Sequence, residues 1–223
     1  MNALNMNISA LFAGKPQPFG PRKSPSSIIK TAHESLNVVS DGATEDEQGN
    51  KKLHGGPQMA LHQFAQASYI ALQNAFPKTA YLMSIGSIGE NISAAHMHED
   101  NVFIGDIYQM GEVVVQVSSP RAPCSKINQR YGQKKIDLFI LEHGITGWYF
   151  RVLQSGVLKV GDSIELTHRN EQPVSVKTLM HMSKPPEGIS FSEGELQAAL
   201  TTEGLAPEWQ DKLQRRISAL TRG

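Results

Sequence analysis

The sequence predicts a mixed, mainly β fold with peripheral helices, in which a barrel or sandwich of short strands is followed by a small three-helix unit. From about residue 100, apolar side chains alternate with polar ones, and Gly-Asp pairs separate the alternating runs. After about residue 170, apolar side chains recur at helical spacing instead. There is neither βαβ alternation nor a glycine-rich nucleotide-binding motif, which argues against a doubly wound sheet.

The first part of the chain predicts one strand, one long loop and one helix. Ile8–Ala13 is strand-like and lies in an extended N-terminal segment, 1–28, that is rich in proline. Residues 40–56 are polar and turn-rich, which is typical of a functional or disordered loop. Residues 57–76 predict a helix, because a proline opens the segment, another proline follows it, and apolar residues recur at helical spacing.

The middle of the chain predicts several strands. In residues 113–118, valines at every second position indicate one apolar face of a strand. In residues 163–167, Ile164 and Leu166 alternate with polar side chains, which predicts another strand. Between them, Trp148–Leu153 and Val157–Val160 flank a Gln-Ser-Gly turn, which predicts a β-hairpin.

The last part of the chain predicts three helices and a domain boundary. After a first short helix, Ser192 and Glu195 form a capping box ahead of a second one, and Pro207 suits the first turn of a third. We therefore expect a barrel domain over residues 1–170 and a three-helix unit over residues 171–223, packed on the barrel or on a second subunit.

Composition limits the classes of function. Lys and Arg total 21 and Asp and Glu total 21, so the formal net charge is zero, which argues against a general nucleic-acid binder. No apolar run approaches the length of a membrane helix, and the chain start lacks the basic segment of a secretory signal. A lone cysteine, Cys124, excludes a disulfide framework within the chain. We expect a cytoplasmic protein that binds neither nucleic acid nor membrane.

The strongest candidate for chemistry is the segment around Cys124. It follows the valine-rich strand, and two prolines at positions 120 and 123 predict that the thiol lies at a strand end rather than in the core. Residues 121–135 contain five basic side chains, Arg121 and Lys126 among them, and no acid. The positive field of these side chains stabilises a thiolate, the form of cysteine that attacks electrophiles and binds metals. The same field attracts phosphate. The alternative is an inert cysteine beside a solvated basic loop.

Three other motifs are weaker candidates. His54-Gly55-Gly56 precedes the predicted helix and suits an anion site, although an ordinary turn with a surface histidine is the simpler interpretation of the spacing. Gly86–Ile92 predicts a tight turn that presents Glu90 and Asn91. His96–Asp100 has the composition of a metal cluster, but its two histidines share a face only on a strand.

Together these motifs resemble the MOSC domain, named after the C-terminal part of molybdenum-cofactor sulfurase, and more closely the bacterial YiiM-type proteins, in which a MOSC barrel precedes a three-helix unit. The resemblance covers nearly the whole chain from about Lys30. The matching positions are Asp41-Gly42, Asp46-x-Gln48, His54-Gly55-Gly56, Gly89-Glu90-Asn91-Ile92, Gly105-Asp106 and Pro120-Arg121-x-Pro123-Cys124-x-Lys126.

The resemblance implies a barrel around a cleft that holds an anionic molybdenum cofactor (molybdopterin). It implies that Cys124 ligates molybdenum or carries a persulfide, and that Cys124 and His54 are catalytic. The cofactor-binding residues that we predict are Arg121, Lys126, His54, Gly55, Gly56, Asn91 and Lys30.

The resemblance further implies a molybdenum-dependent reductase of N-hydroxylated compounds, such as 6-N-hydroxylaminopurine. It also implies that electrons come from a separate reductase, and the single cysteine agrees with this, because one cysteine cannot hold an iron–sulfur cluster. No motif for a Schiff-base lysine is visible, so pyridoxal phosphate is not expected, and a homodimer is possible. Two alternatives stay open, a sulfur carrier that uses a cysteine persulfide and a non-catalytic cofactor-binding protein. Bound molybdenum would separate the reductase from the sulfur carrier.

Overall fold

The computed structural model of the protein describes residues 6–49 and 55–221. The strands are β1 (Met6–Ala13), β2 (Gln17–Phe19), β3 (Ser24–Ser26), β4 (Thr31–His33), β5 (Ser35–Val39), β6 (Gly42–Ala43), β7 (Leu61–Gln63), β8 (Ile92–Ala94), β9 (Ile107–Met110), β10 (Val113–Pro120), β11 (Trp148–Gln154), β12 (Gly156–Lys159) and β13 (Ser163–His168). The α-helices are α1 (Gln66–Ala75), α2 (Lys126–Tyr131), α3 (Ile136–His143), α4 (Val176–Ser183), α5 (Glu193–Leu200) and α6 (Pro207–Leu220). Short 3-10 helices occur at Pro57–Met59 and Ala80–Leu82.

Seven of the strands form a closed barrel, so the predicted mainly β barrel with peripheral helices is confirmed. Its strand order is β13-β9-β10-β11-β7-β8-β1, and β1 closes the barrel by pairing with β13. The contact between β7 and β8 is parallel, whereas the other pairings of the barrel are antiparallel. The predicted strand Ile8–Ala13 is thus a barrel strand rather than a loose extension.

The predicted helix over residues 57–76 is wrong in its first half. Pro57–Met59 forms a single 3-10 turn, Leu61–Gln63 forms strand β7, and the α-helix begins only at Gln66. The five residues 61–65 are all buried, because β7 lies between β11 and β8 in the barrel wall. Pairing with distant strands therefore decides the structure of this segment. A short run of apolar residues that is buried on every side can match helical spacing by chance, so the spacing alone does not separate a helix from a strand.

The predicted hairpin between Trp148–Leu153 and Val157–Val160 is wrong in its pairing, although both strands exist. β11 pairs with β10 and β7, whereas β12 pairs with β5. Glu112 holds the connection between β11 and β12 by two hydrogen bonds. Its carboxylate accepts the Val157 N–H at 3.0 Å, and its backbone carbonyl accepts the Gln154 side-chain N–H at 2.9 Å.

The three predicted tail helices are present as α4, α5 and α6, and α5 begins with the predicted capping box. Their apolar side chains form one continuous cluster with those of the barrel. The Ala206 N–H also donates to the Ser118 carbonyl at 2.9 Å, which fixes the start of α6 to the end of β10. A domain boundary at residue 170 stays a prediction. Within 6–49 and 55–221, no helix has both the length and the apolar character needed to cross a bilayer.

Candidate functional site

A cleft opens at the end of β10, and it encloses about 740 Å³ including its open mouth. Its polar walls bring together side chains from six separate segments of the chain. They are Lys30, Asp46, His62, Asn91, Arg121, Cys124, Lys126 and Tyr149.

Cys124 lies in the short connection between β10 and α2. The strand ends at Pro120, and the Arg121 N–H makes one further bond, to the Gly147 carbonyl at 3.1 Å. The thiol is half-buried and lines the cleft, so the prediction of a strand-end position outside the core is confirmed. One face of this connection is thereby exposed to any molecule that enters the cleft.

The five basic residues of the segment 121–135 are divided between the cleft and its surroundings. Arg121 and Lys126 line the cleft. The Lys126 ammonium donates to the Pro25 carbonyl at 2.9 Å, which leaves two of its three N–H groups for a ligand. Arg130 instead donates to the Ser87 carbonyl at 3.2 Å, and the remaining two lysines are exposed and do not line the cleft.

Lys30 and Asp46 form a buried ion pair in the wall of the cleft, with each side chain only 5% exposed. Burial lowers the pKa of Lys30, and the adjacent Asp46 carboxylate opposes that shift. The other carboxylate oxygen of Asp46 accepts the Gly14 N–H at 2.9 Å. Because the Asp46 carboxylate neutralises the Lys30 ammonium, Lys30 adds little uncompensated charge to the cleft.

The Asn91 amide is engaged in the same wall. Its NH₂ group donates to the Phe12 carbonyl at 3.1 Å and to Asp46 at 3.0 Å, and its oxygen accepts the His62 N–H at 3.1 Å. Both amide hydrogens are therefore used within the protein. These bonds give Asn91 a positioning role that joins β7, β8 and β1, while its predicted contact with a cofactor stays a prediction.

His62 is a cleft residue that the sequence analysis missed. Its side chain is buried, and among the described residues its Nε2 atom has no hydrogen-bond partner. Burial and the positive charge of Arg121 hold the pKa of His62 well below its usual range, against a hydrogen bond to the Gly89 backbone. The ring is therefore neutral at pH 7. A Cβ at Gly147, where φ is 68°, would come within 2.9 Å of Nε2, so glycine is required there.

Tyr149 and Glu90 complete the surroundings of Arg121. The rings of Tyr149 and His62 lie 5.4 Å apart. Burial raises the pKa of Tyr149, although Arg121 opposes the shift by its charge and by a hydrogen bond. Glu90 is fully buried, and one of its oxygens accepts from the Tyr69 hydroxyl at 2.7 Å and the Gly86 N–H at 2.6 Å. Burial raises the pKa of this carboxyl, and its second oxygen has no partner in the described chain.

Of the three weaker motifs, Gly86–Ile92 joins the cleft through Gly89 and Asn91, whereas the described residues of the other two do not line it. His54 lies outside the described residues, and Gly55 and Gly56 do not line the cleft. A single 3-10 turn follows Gly56 in place of the predicted helix start, and the anion site at His54-Gly55-Gly56 stays a prediction. In the segment His96–Asp100, Glu99 is buried and accepts from Ser68 at 3.0 Å and from the Gly147 N–H at 2.8 Å, a structural role.

The protein is thus a closed barrel with one thiol in a cationic, partly buried cleft. The cations suit an anionic ligand, and a thiolate suits a soft metal. The MOSC domain family matches residues 50–165, which is about half of the chain. The chain belongs to the MOSC domain family, and the resemblance to YiiM-type proteins is confirmed.

Three relatives show the extent of this similarity. "Protein YiiM" of Escherichia coli (strain K12) is 31% identical over 207 residues, which cover 92% of this chain and 90% of that protein. The structure of YiiM from Geobacillus stearothermophilus has a TM-score of 0.77 at 25% identity, over 95% of this chain and 99% of the other. A Gibberella moniliformis protein named "Reductase" is 36% identical over 145 residues, 65% of this chain and 26% of that protein.

Proposed function

We propose that this protein is a molybdenum-cofactor-dependent reductase of N-hydroxylated compounds, with N-hydroxylated purines as a substrate class. The observation that carries the proposal is the composition of the cleft. One thiol, Cys124, shares it with the cations Arg121 and Lys126 and with His62, whose buried Nε2 atom has no partner among the described residues. MOSC domains in general are associated with binding of the molybdenum cofactor, and one relative carries the name "Reductase".

The residues present fit this cofactor. A thiolate is a soft ligand of the kind that thiophilic metals prefer, so Cys124 would hold the metal. Arg121 and Lys126 would bind the phosphate by charge-assisted hydrogen bonds. A neutral His62 presents one nitrogen as an acceptor, which suits an N–H group of the bound molecule. When bound, the cofactor supplies the two-electron redox chemistry.

The reaction needs two electrons and two protons, since R–NH–OH is converted to R–NH₂ and water. A raised pKa keeps the Tyr149 hydroxyl protonated at neutral pH, so it can donate a hydrogen bond to the oxygen of the N–O bond. Arg121, which interacts with that hydroxyl, keeps it oriented. His54 stays a predicted proton donor.

The test compares wild type with Cys124→Ser and with Ser125→Ala as a matched control. Ser125 is exposed and its side chain makes no capping hydrogen bond, so the control changes a neighbouring side chain only. The proteins are produced in a host that makes the cofactor, and molybdenum, pterin fluorescence and methyl-viologen-driven reduction of 6-N-hydroxylaminopurine are measured. Loss of residues that merely support a metal ligand costs about 10–100-fold, so Cys124→Ser should lose at least about 100-fold in activity.

Three outcomes would contradict the proposal. Full activity in Cys124→Ser would exclude a role of this thiol as the metal ligand. Wild-type protein that carries a persulfide on Cys124 and no molybdenum would favour the sulfur carrier. Molybdenum and pterin bound without turnover under viologen would favour the non-catalytic binding protein.

A further inference from the structure

A second, wider groove lies beside the Cys124 connection, on the face formed by α3, α4 and α6. Its floor is apolar and consists of Leu141, Met180 and Trp209, together with Pro123. It has about 990 Å³ of open space and no residue in common with the first cleft except Ala122. Ala122 thus separates the two depressions and lies two residues before Cys124 in the chain.

The rim of this groove is basic. Among residues 6–49 and 55–221, no acidic side chain lines it, and the cationic side chains that do are Lys184, Lys212, Arg215 and Arg216. Lys212 is paired with Glu208 at 2.8 Å and lies 4.3 Å over the Trp209 ring. In the part of the chain that the structure describes, the other three cations make no side-chain hydrogen bond or ion pair. The rim is therefore a local positive field in a protein of zero net charge.

The basic rim favours an acidic protein as the partner of this groove over a second copy of the chain. A twofold contact through this face would set four cations against the same four cations, which like-charge repulsion opposes. An acidic protein surface would instead neutralise the rim, while the apolar floor would bury its apolar centre.

We propose that this groove is the docking site of an acidic, flavin-carrying redox protein that delivers electrons to the Cys124 cleft. The inference rests on the proposed function, since only a reductase needs a donor. The chain has a single cysteine and so cannot hold a cluster of its own for electron transfer. Ala122 borders both depressions, so a cofactor that the donor brings to the groove faces the loop that carries the thiol.

The electron balance requires one reduced flavin for each turnover. The flavin hydroquinone gives up two electrons and two protons and becomes the oxidised flavin. The substrate R–NH–OH takes up two electrons and two protons, its N–O bond breaks, and R–NH₂ and water leave. No further oxidant or reductant is needed.

The experiment reverses the charge of the three unpaired rim cations in the full-length protein, as Lys184→Glu, Arg215→Glu and Arg216→Glu together. A matched control carries Arg22→Glu, Lys78→Glu and Lys159→Glu, three exposed positions that line neither depression. Turnover of 6-N-hydroxylaminopurine is measured with two donors, methyl viologen, which needs no docking, and a reduced acidic flavodoxin as the protein probe. Binding of the flavodoxin is measured separately by calorimetry at low and at physiological salt.

We expect the rim variant to keep its viologen-driven rate within about twofold, and to lose tenfold or more in kcat/KM with the flavodoxin, with weaker binding at low salt. The control variant should match wild type with both donors. Equal flavodoxin-driven kcat/KM in the rim variant, or no flavodoxin turnover in an active wild type, would overturn the docking proposal. Preferential binding of duplex DNA by the rim would also overturn it. Absence of viologen-driven turnover in wild type would reject the proposed function instead, whatever the flavodoxin binding shows.

Discussion

Two buried polar regions of this barrel differ in how completely their atoms are paired. At the junction with the tail, the Asp106 carboxylate is fully buried and accepts two hydrogen bonds from Arg169, at 2.8 and 2.7 Å. It also accepts the Phe103 N–H and the Tyr108 hydroxyl, each at 3.0 Å. At the Cys124 cleft, by contrast, His62 Nε2 lacks a partner in the described chain.

This difference separates a structural site from a site that has capacity for a ligand. The two Asp106 oxygens accept four hydrogen bonds from the protein itself, which hold loop, strand and tail together. A buried polar atom without a partner carries a free-energy cost that a bound molecule can remove. The cleft therefore contains the atoms that a ligand would satisfy.

The largest effect on stability is expected at the paired site. Asp106→Ala leaves the half-exposed Arg169, the buried Tyr108 hydroxyl and the part-buried Phe103 N–H without their acceptor, which should cost about 3 kcal/mol of the free energy of unfolding. Urea denaturation measures this, with the exposed Asp211→Ala as control. Molybdenum content per folded molecule should not change. A stability equal to that of wild type would show that the network contributes little, and the contrast between the two regions would fail.

The lowered pKa of His62 in the cleft should make the free energy of unfolding depend on pH. The pKa of His62 is lowered in the folded state, so below about pH 6.5 the unfolded chain binds a proton that the folded chain does not. Stability should therefore fall as the pH falls from 7 to 5, by at most about 1.4 kcal/mol per pH unit from this group.

His62→Gln should have a smaller slope over that range, because both proteins share every other titratable group. Chemical denaturation at a series of pH values gives the two slopes. Parallel curves would show that His62 is as easily protonated in the fold as in the unfolded chain, and its role as a neutral acceptor would be wrong.

The smallest effect is expected at the mouth of the cleft. Lys126 is half-exposed, so its charge is screened, and Lys126→Ala should weaken phosphate binding by about 1 kcal/mol, or about fivefold. Titration of the cofactor-free protein with inorganic phosphate measures this, with the exposed Lys134→Ala as control. A loss equal for both lysines would mean that Lys126 acts only through the overall charge of the protein.

Most of the local elements could be predicted from the sequence. The alternating valines of β10, the capping box of α5 and Pro207 at the start of α6 each reflect short-range physical rules, and the structure has all three. The strand Leu61–Gln63 could not be predicted, because its burial on every side comes from β8 and β11, which are distant in the chain. The partner of β12 was missed for the same reason.

The site shows the same division between local and distant information. Cys124, Arg121 and Lys126 are close in the chain, so their shared cleft follows from one proline-framed segment. Asp46 appeared only as part of a matching motif, although its pairing with Lys30 decides how much charge that wall presents. His62 and Tyr149 carried no signal, since a histidine or tyrosine within a barrel strand has the same pattern whether it faces the cleft or the core.

The central claim is that the Cys124 thiolate binds molybdenum in this cleft. X-ray absorption at the molybdenum edge counts the sulfur atoms bound to the metal, and it can be applied to wild type, Cys124→Ser and Ser125→Ala produced in the same host. We expect the molybdenum in Cys124→Ser to have one sulfur neighbour fewer than in wild type, with an oxygen neighbour in its place, while Ser125→Ala matches wild type. An identical sulfur shell in Cys124→Ser and wild type would contradict the claim.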